Sequence, residues 1–230
     1  MSHLREDHRS LQQFSQSAHW DGTALACDSA ALSGVECLLS PAVCCHWYST
    51  LKDSVLPAPR AITAIGKCFR YESTNLTGLE RLWDFTMREV VFLGSREHVL
   101  ERRTETMDWM SQLLVEHDLA GEIRTASDPF FVAPDAVSKT YFQLSSETKF
   151  EVSLLLPNDE RLAVGSHNYH SDFFGKAFNT TIENHGAMHS VCMAFGLERW
   201  VYAFLQQHGK EIARWPAAVR SAPEFQKQRS

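Results

Sequence analysis

Two strand-like runs joined by one short polar loop constrain this chain more than any other feature. Ala61-Ile62-Thr63-Ala64-Ile65 leads through Gly66 into Cys68-Phe69-Arg70-Tyr71-Glu72, a stretch rich in residues that favour strands. A polar, glycine-containing turn follows over 73–78. Then Trp83-Asp84-Phe85-Thr86-Met87-Arg88-Glu89-Val90-Val91-Phe92 alternates large apolar with polar side chains and becomes wholly apolar. The economical reading is an antiparallel pair. Alternation puts Arg70 and Glu72 on one side of the first strand, and Phe85 reaches that side from the second. Such a pair offers a guanidinium for a phosphate, a carboxylate for an amine and an aromatic face for a flat ring. A second arginine, Arg199, stands at a strand-to-helix junction after Gly196.

The remaining pattern fills out the same class of fold. Ser95 with Glu97-His98 starts a helix running from about 95 to 118, with Val99, Met107, Met110, Leu113 and Leu114 as its apolar stripe. Strands are predicted over 122–125, 140–144, 149–156, 162–166 and 189–195, with the Phe-rich Asp172-Phe173-Phe174-Gly175 before the last. Gly196 then leads into a second helix over 197–205. This order suggests an α+β fold with a mostly antiparallel sheet flanked by helices. With 230 residues, 44% of them hydrophobic, one core is the default. The expected organisation is a weakly defined N-terminal segment over 1–40, a catalytic domain over 41–210 and a loosely ordered tail over 211–230.

Composition excludes several classes of function. The net charge is −6 and the longest basic cluster is Arg102-Arg103, so the surface as a whole is not a nucleic-acid footprint. No apolar run is long enough to span a bilayer, and the polar start lacks a signal-peptide core, which implies a cytoplasmic protein. Cysteines at 27, 37, 44, 45, 68 and 192 have no framework spacing, so disulfides are not expected. They divide instead into buried fillers and metal or nucleophile positions.

The motifs Phe69-Arg70-Tyr71-Glu72, Arg81-Leu82-Trp83-Asp84-Phe85 and Gly196-Leu197-Glu198-Arg199, in that order, resemble motifs 2 and 3 of class II aminoacyl-tRNA synthetases. The resemblance implies ATP as cosubstrate. Arg70 would hold the α-phosphate, Glu72 the adenine amino group, Phe85 and Arg199 the two faces of the adenine, and Arg81 the outer phosphates. Within the class, the chain is similar over about 40–206 to seryl-tRNA synthetases. That likeness is carried by Lys139-Thr140-Tyr141 before Phe150-Glu151-Val152, and by the stretch from Ser166 to Phe173. It lacks the heptad run that would supply their tRNA-gripping coiled-coil arm. The helix and strand of motif 1 are not recognisable in 1–40, so a homodimer is expected by resemblance alone.

The likeness also groups Cys44, Glu89 and Cys192, which are far apart in sequence. By residue chemistry, the two cysteines read as buried fillers and Glu89 as an ion-pair partner of Arg88 or another neighbour. Two thiolates and a carboxylate also suit Zn²⁺ with a fourth position open. Atypical archaeal-type seryl synthetases, and the truncated homologues known as amino acid:[carrier protein] ligases, hold zinc with such a set. The ligases lack the arm and share Asn168-Tyr169-His170-Ser171-Asp172-Phe173-Phe174-Gly175. The resemblance therefore implies that the adenylate of glycine or alanine passes to the phosphopantetheine thiol of an acyl or peptidyl carrier protein, with no tRNA and no membrane involved. Small side chains also agree with the bulky Trp47, Tyr48, Phe173 and Phe174 near the grouped residues. Mg²⁺ would accompany ATP. Glu151 is the best candidate to hold it, because the carboxylate that seryl enzymes carry before their Ser-rich stretch is replaced around Leu162-Ala163. Cys45 reads as structural. The alternatives are a seryl-type enzyme that charges tRNA and a catalytically silent zinc-binding paralogue.

Overall fold

The computed structural model describes residues 7–32, 39–71, 78–126, 148–157 and 159–223. The chain divides into two compact units, Met1–Ser40 and Pro41–Ser230.

The first unit opens with α1 (His8–Ser17), whose start is capped by Asp7 accepting the Ser10 N–H at 2.9 Å. A two-stranded ribbon of β1 (His19–Trp20) and β2 (Leu25–Ala26) follows, then a 3₁₀ turn over Ser29–Ala31 capped by Asp28. These short elements fall in the segment whose sequence pattern is weakly defined.

The second unit begins with α2 (Cys44–Thr50) and β3 (Val55–Leu56). β4 (Arg60–Phe69) and β5 (Asp84–Gly94) form the expected antiparallel pair, with Ala64 opposite Glu89 and Cys68 opposite Phe85. Strand β4 ends at Phe69, so Arg70 lies just beyond it rather than within it, held by its N–H to the Trp83 carbonyl at 3.0 Å. Next come α3 (Arg96–Glu116), capped by Ser95, then β6 (Gly121–Thr125), β7 (Lys149–Leu155) and β8 (Arg161–Ser171). The chain continues through α4 (Phe173–Ala177), β9 (Thr181–Ile182), β10 (Gly186–Ala187), β11 (His189–Gly196) and α5 (Leu197–His208). Where a loose tail was expected, Pro216 starts a further short helix, α6 (Ala217–Arg220). The strand predicted over 140–144 lies outside the described residues.

Six strands make one sheet in the order β4-β5-β11-β8-β7-β6, and every neighbouring pair is antiparallel. The fold is α+β, as the element order implied. Alternation gives each face its own core. On one face Met110 and Leu114 of α3 and Ala203 of α5 pack against Val152, Leu154, Val164 and Met193. On the other, Val43, Cys44 and Tyr48 pack with Phe174 against Val91, Leu93, Cys192 and Ala194. Helix α4 lies so close to the following chain that a Cβ on Gly175 would overlap the Met188 backbone. Among the described residues no helix is long and apolar enough to cross a membrane.

Candidate active site

On the α2 face of the sheet, cross-strand neighbours line up in rows. One row runs Ala64, Glu89, Ala194, Ser166, Glu151 and Arg124, and the next runs Ile62, Val91, Cys192, Asn168 and Lys149. Register alone therefore brings Glu89 and Cys192 to adjacent strands of one face, although 103 positions separate them.

Cys44 joins them from α2. The Glu89 carboxylate accepts the Val43 N–H at 3.1 Å and the Cys44 N–H at 2.7 Å. A carboxylate from the sheet thus satisfies amides at the start of a helix that no local residue caps. Cys192 Sγ lies 3.4 Å from Glu89 Oε2. The ligand atoms of Cys44, Glu89 and Cys192 all lie within 4.8 Å of one another, and all three residues are buried. Arg88 is exposed and points to the opposite face by alternation, so the expected ion pair with Glu89 is replaced by these amide contacts.

The protonation of this cluster bears on what it can hold. The Cys44 thiol is pushed far above the ordinary thiol range, first by its hydrogen bond with Cys192 and then by burial. At Cys192 the bond with Cys44 acts downward, but burial and the Glu89 charge outweigh it and the pKa ends at about 11. Two buried thiols beside a carboxylate retain their protons unless a cation takes their place. Soft sulfur donors with one oxygen fit Zn²⁺, and three protein ligands leave a fourth position open. The donor set therefore fits the ion. Five cysteines among the described residues are free thiols, and Cys45 is half-buried beside Cys44.

Around Cys44, the next turn of α2 carries Tyr48, fully buried and stacked on Phe174 with ring centroids 3.8 Å apart. Tyr48 Oη lies 3.1 Å from His170 Nδ1, and the same nitrogen lies 3.1 Å from Ser190 Oγ. Burial holds the His170 pKa down to about 3, so the ring is neutral. Phe173 is half-exposed and packs edge-on against Phe174, with ring centroids 5.1 Å apart.

The arginines and Phe85 gather at the end of the sheet where β4 leaves and β5 begins. The Arg70 guanidinium lies over the Phe85 ring, 5.1 Å from its centroid. Its Nε donates to the Pro41 carbonyl at 3.2 Å. Arg199 donates through Nε to the Glu80 carbonyl at 2.6 Å and through Nη1 to the Ala163 carbonyl at 3.0 Å. Glu198, beside it, accepts the Thr86 N–H with both oxygens, at 2.8 and 2.9 Å, which fixes the start of α5 to the residue after Phe85. Arg81 is exposed just before β5. Glu72 lies outside the described residues, as does Lys139-Thr140-Tyr141.

Glu151 lies on the same sheet face, but its carboxylate is engaged by the ammonium of Lys149, itself mostly buried, at 3.0 Å. Leu162, where a second carboxylate would have been informative, is buried in the α3–α5 core. Glu151, the residue expected to accompany Mg²⁺, thus shares the sheet face of the Cys44–Glu89–Cys192 set and is paired with Lys149.

Sequence gives no individual role to Glu198, Lys149, Asn168 or Ser190. Glu198 and Asn168 lie inside quoted motifs, and Tyr48 is legible only for its bulk. All but Glu198 are placed by register or by a helix whose start is capped from a distant strand.

The sequence profile for the tRNA synthetase class II core domain (G, H, P, S and T) matches residues 34–208, and the chain belongs to that family. It is 36% identical over 197 residues to "Amino acid--[acyl-carrier-protein] ligase 2" of Bradyrhizobium diazoefficiens, covering 83% of this chain and 57% of that protein. It is 28% identical over 193 residues to the type-2 serine--tRNA ligase of Methanopyrus kandleri, covering 79% of this chain and 37% of the relative. The fold of M. kandleri SerRS, solved in complex with A. aeolicus tRNASec, superposes with a TM-score of 0.78 at 23% identity, over 95% of this chain and 44% of that one. The chain spans only part of each relative.

Proposed function

We propose that this chain activates a small amino acid with ATP as the aminoacyl adenylate and transfers it to the phosphopantetheine thiol of a carrier protein. One observation carries this reading: a buried Cys44–Glu89–Cys192 donor set on the same sheet face as the Arg70–Phe85 pair. The 36% identity to an amino acid–[acyl-carrier-protein] ligase supports the choice of acceptor.

In this reading Cys44, Glu89 and Cys192 hold Zn²⁺. The ion, when bound, supplies an acceptor for the substrate's α-amino group at its open position. The protein's own part is mostly positioning and charge. Phe85 and Arg199 take the adenine between them, Glu72 reads its amino group, Arg70 holds the α-phosphate and Arg81 the outer phosphates. The amino acid's carboxylate oxygen attacks the α-phosphorus, the bond to the bridging oxygen breaks and pyrophosphate leaves with its Mg²⁺. The carrier's thiolate then attacks the carbonyl carbon of the mixed anhydride and AMP leaves. No enzyme nucleophile is required. Tyr48 and Phe174 wall the donor set, which favours glycine or alanine.

Amino-acid-dependent ATP–pyrophosphate exchange with glycine, alanine and serine tests activation. Exchange with none of them overturns the proposal. Labelled amino acid offered to holo-carrier protein and to tRNA tests the acceptor, and label on tRNA alone favours the seryl-type reading. Zinc content equal in wild type and Cys192→Ala overturns the metal assignment. A homodimer is part of the proposal, and sedimentation measures it.

A further inference from the structure

The Asn168–Gly175 segment contains a histidine with no part in the chemistry above. His170 is buried on β8, and its Nδ1 is 3.1 Å from Tyr48 Oη and 3.1 Å from Ser190 Oγ. Tyr48 Oη and Ser190 Oγ thus meet at the same nitrogen, and the three groups form a compact triangle. Both hydroxyls lie within hydrogen-bond distance of the one ring nitrogen, so the imidazole links the two side chains whichever of them it bonds at a given moment.

The placement of the hydroxyls matters. Tyr48 follows Cys44 by four residues and so lies one turn along the same short helix. Ser190 precedes Cys192 by two residues on the same face of β11. Cys44 is thus tied on its amide side by Glu89 and on its helix side, through Tyr48, to the strand that carries Cys192. Phe174 packs against both rings, stacked on Tyr48 and edge-on to His170 at 5.1 Å, and gives the triangle a rigid wall.

We infer that His170 is a positioning residue that sets the separation of the Cys44 and Cys192 sulfurs by locking α2 against β11. This rests on the reading of the triad as a metal site. An outer-shell partner of this kind orients ligands it does not touch, and its loss typically lowers metal affinity 10–100-fold. The effect here is relayed through the helix and the strand rather than through a ligand's own ring.

The test uses the full chain loaded with Co²⁺ or Zn²⁺. In His170→Leu the ring nitrogen is gone, in Tyr48→Phe and Ser190→Ala one hydroxyl each, and in His170→Asn an amide oxygen takes roughly the position of Nδ1. His170→Leu should release Zn²⁺ to a chelating dye with affinity reduced about 10–100-fold, and its thiolate-to-cobalt absorption should shift. His170→Asn should return both readouts to within about 3-fold of wild type, with Tyr48→Phe between. Near-UV circular dichroism confirms folding. If His170→Leu does not fold, the Tyr48→Phe, Ser190→Ala double variant, which keeps the packing, decides. Wild-type affinity and spectrum in a folded His170→Leu, or in that double variant, overturns the positioning role while the metal site stands. Failure of the wild type to bind Co²⁺ overturns both.

Discussion

The two ends of the site are built by opposite means. At the Cys44–Glu89–Cys192 end the three residues are each at most 2% exposed, and the Glu89 carboxylate caps backbone amides while lying beside both sulfurs. At the Arg70–Phe85 end, which the proposed function gives to the nucleotide, Arg70 and Arg81 are exposed, and the described hydrogen bonds of Arg70 and Arg199 run largely to carbonyl oxygens. A neutral carbonyl orients a guanidinium without cancelling its charge, which leaves that charge for a phosphate. In the proposed function the first end is coupled to folding, whereas the second is coupled to ligand.

That contrast breaks most visibly at Glu89. Glu89→Ala leaves the buried Val43 and Cys44 amides without their acceptor, and each such loss costs about 1–3 kcal/mol. We expect the unfolding free energy to fall on the order of 4 kcal/mol in chelator, with metal content abolished as well. Cys192→Ala should also abolish the proposed metal binding, but in chelator it should cost only about 1 kcal/mol, because a small apolar group replaces a thiol. Urea denaturation of both variants in EDTA measures the difference. Equal costs would mean that Glu89 serves only as a ligand.

At the other end the expected pattern inverts. Arg70→Ala should leave stability within about 0.5 kcal/mol, since the side chain is exposed. It should lower pyrophosphate exchange about 100-fold, the cost of removing one charge-stabilising donor. Exchange rates together with a melting curve check both halves. Loss of folding in Arg70→Ala would dissolve the distinction between the ends.

Sequence pattern carried the scaffold further than the site. The β4–β5 pair, α3 from its Ser95 cap and β11 running into α5 were legible because their apolar periods are strong. The extent of β8 was not. Its pattern implied 162–166, but pairing with β11 continues it to Ser171. Helix α2 was invisible for a similar reason, since its amides are satisfied from 45 positions away. The Cys44–Glu89–Cys192 grouping came from family likeness, because register and a remote cap are tertiary facts with no local period. Phe85 and Arg70 were legible as neighbours, although Arg70 lies beyond the strand that was expected to hold it.

The buried imidazoles give a pH dependence that belongs to the fold. His167 is fully buried against the α3 face, and burial lowers its pKa to about 4; His170 is lowered to about 3 by the same cause. Both folded values lie below the ordinary 6.5. The unfolded chain therefore takes up protons first as pH falls, and stability present above 6.5 is lost down to about 4 and about 3. At pH 5 the loss is on the order of 2 kcal/mol for each ring. Melting curves at pH 7 and pH 5 should show it, and His167→Gln should flatten the dependence by about half. An unchanged slope in that variant would assign the loss to surface carboxylates instead.

The smallest expected effect is the most useful control on the comparison. Lys67 pairs with Asp84 at 3.1 Å, with both side chains more than half exposed, three residues before Arg70. Its neighbour Cys68 is fully buried in the α2-side core, so alternation turns Lys67 to the opposite face of the sheet. Exposed pairs of this kind contribute about 0–1 kcal/mol, so Lys67→Ala should change stability by less than about 0.5 kcal/mol. It removes the same unit of charge as Arg70→Ala from nearly the same place in the sequence. If nucleotide binding depends on a guanidinium held over Phe85, exchange in Lys67→Ala stays within about 2-fold of wild type, because Lys67 is on the other face and already paired with Asp84. A loss approaching that of Arg70→Ala would mean that the nucleotide end works by summed positive charge, and that the carbonyl-held orientation of its arginines contributes little.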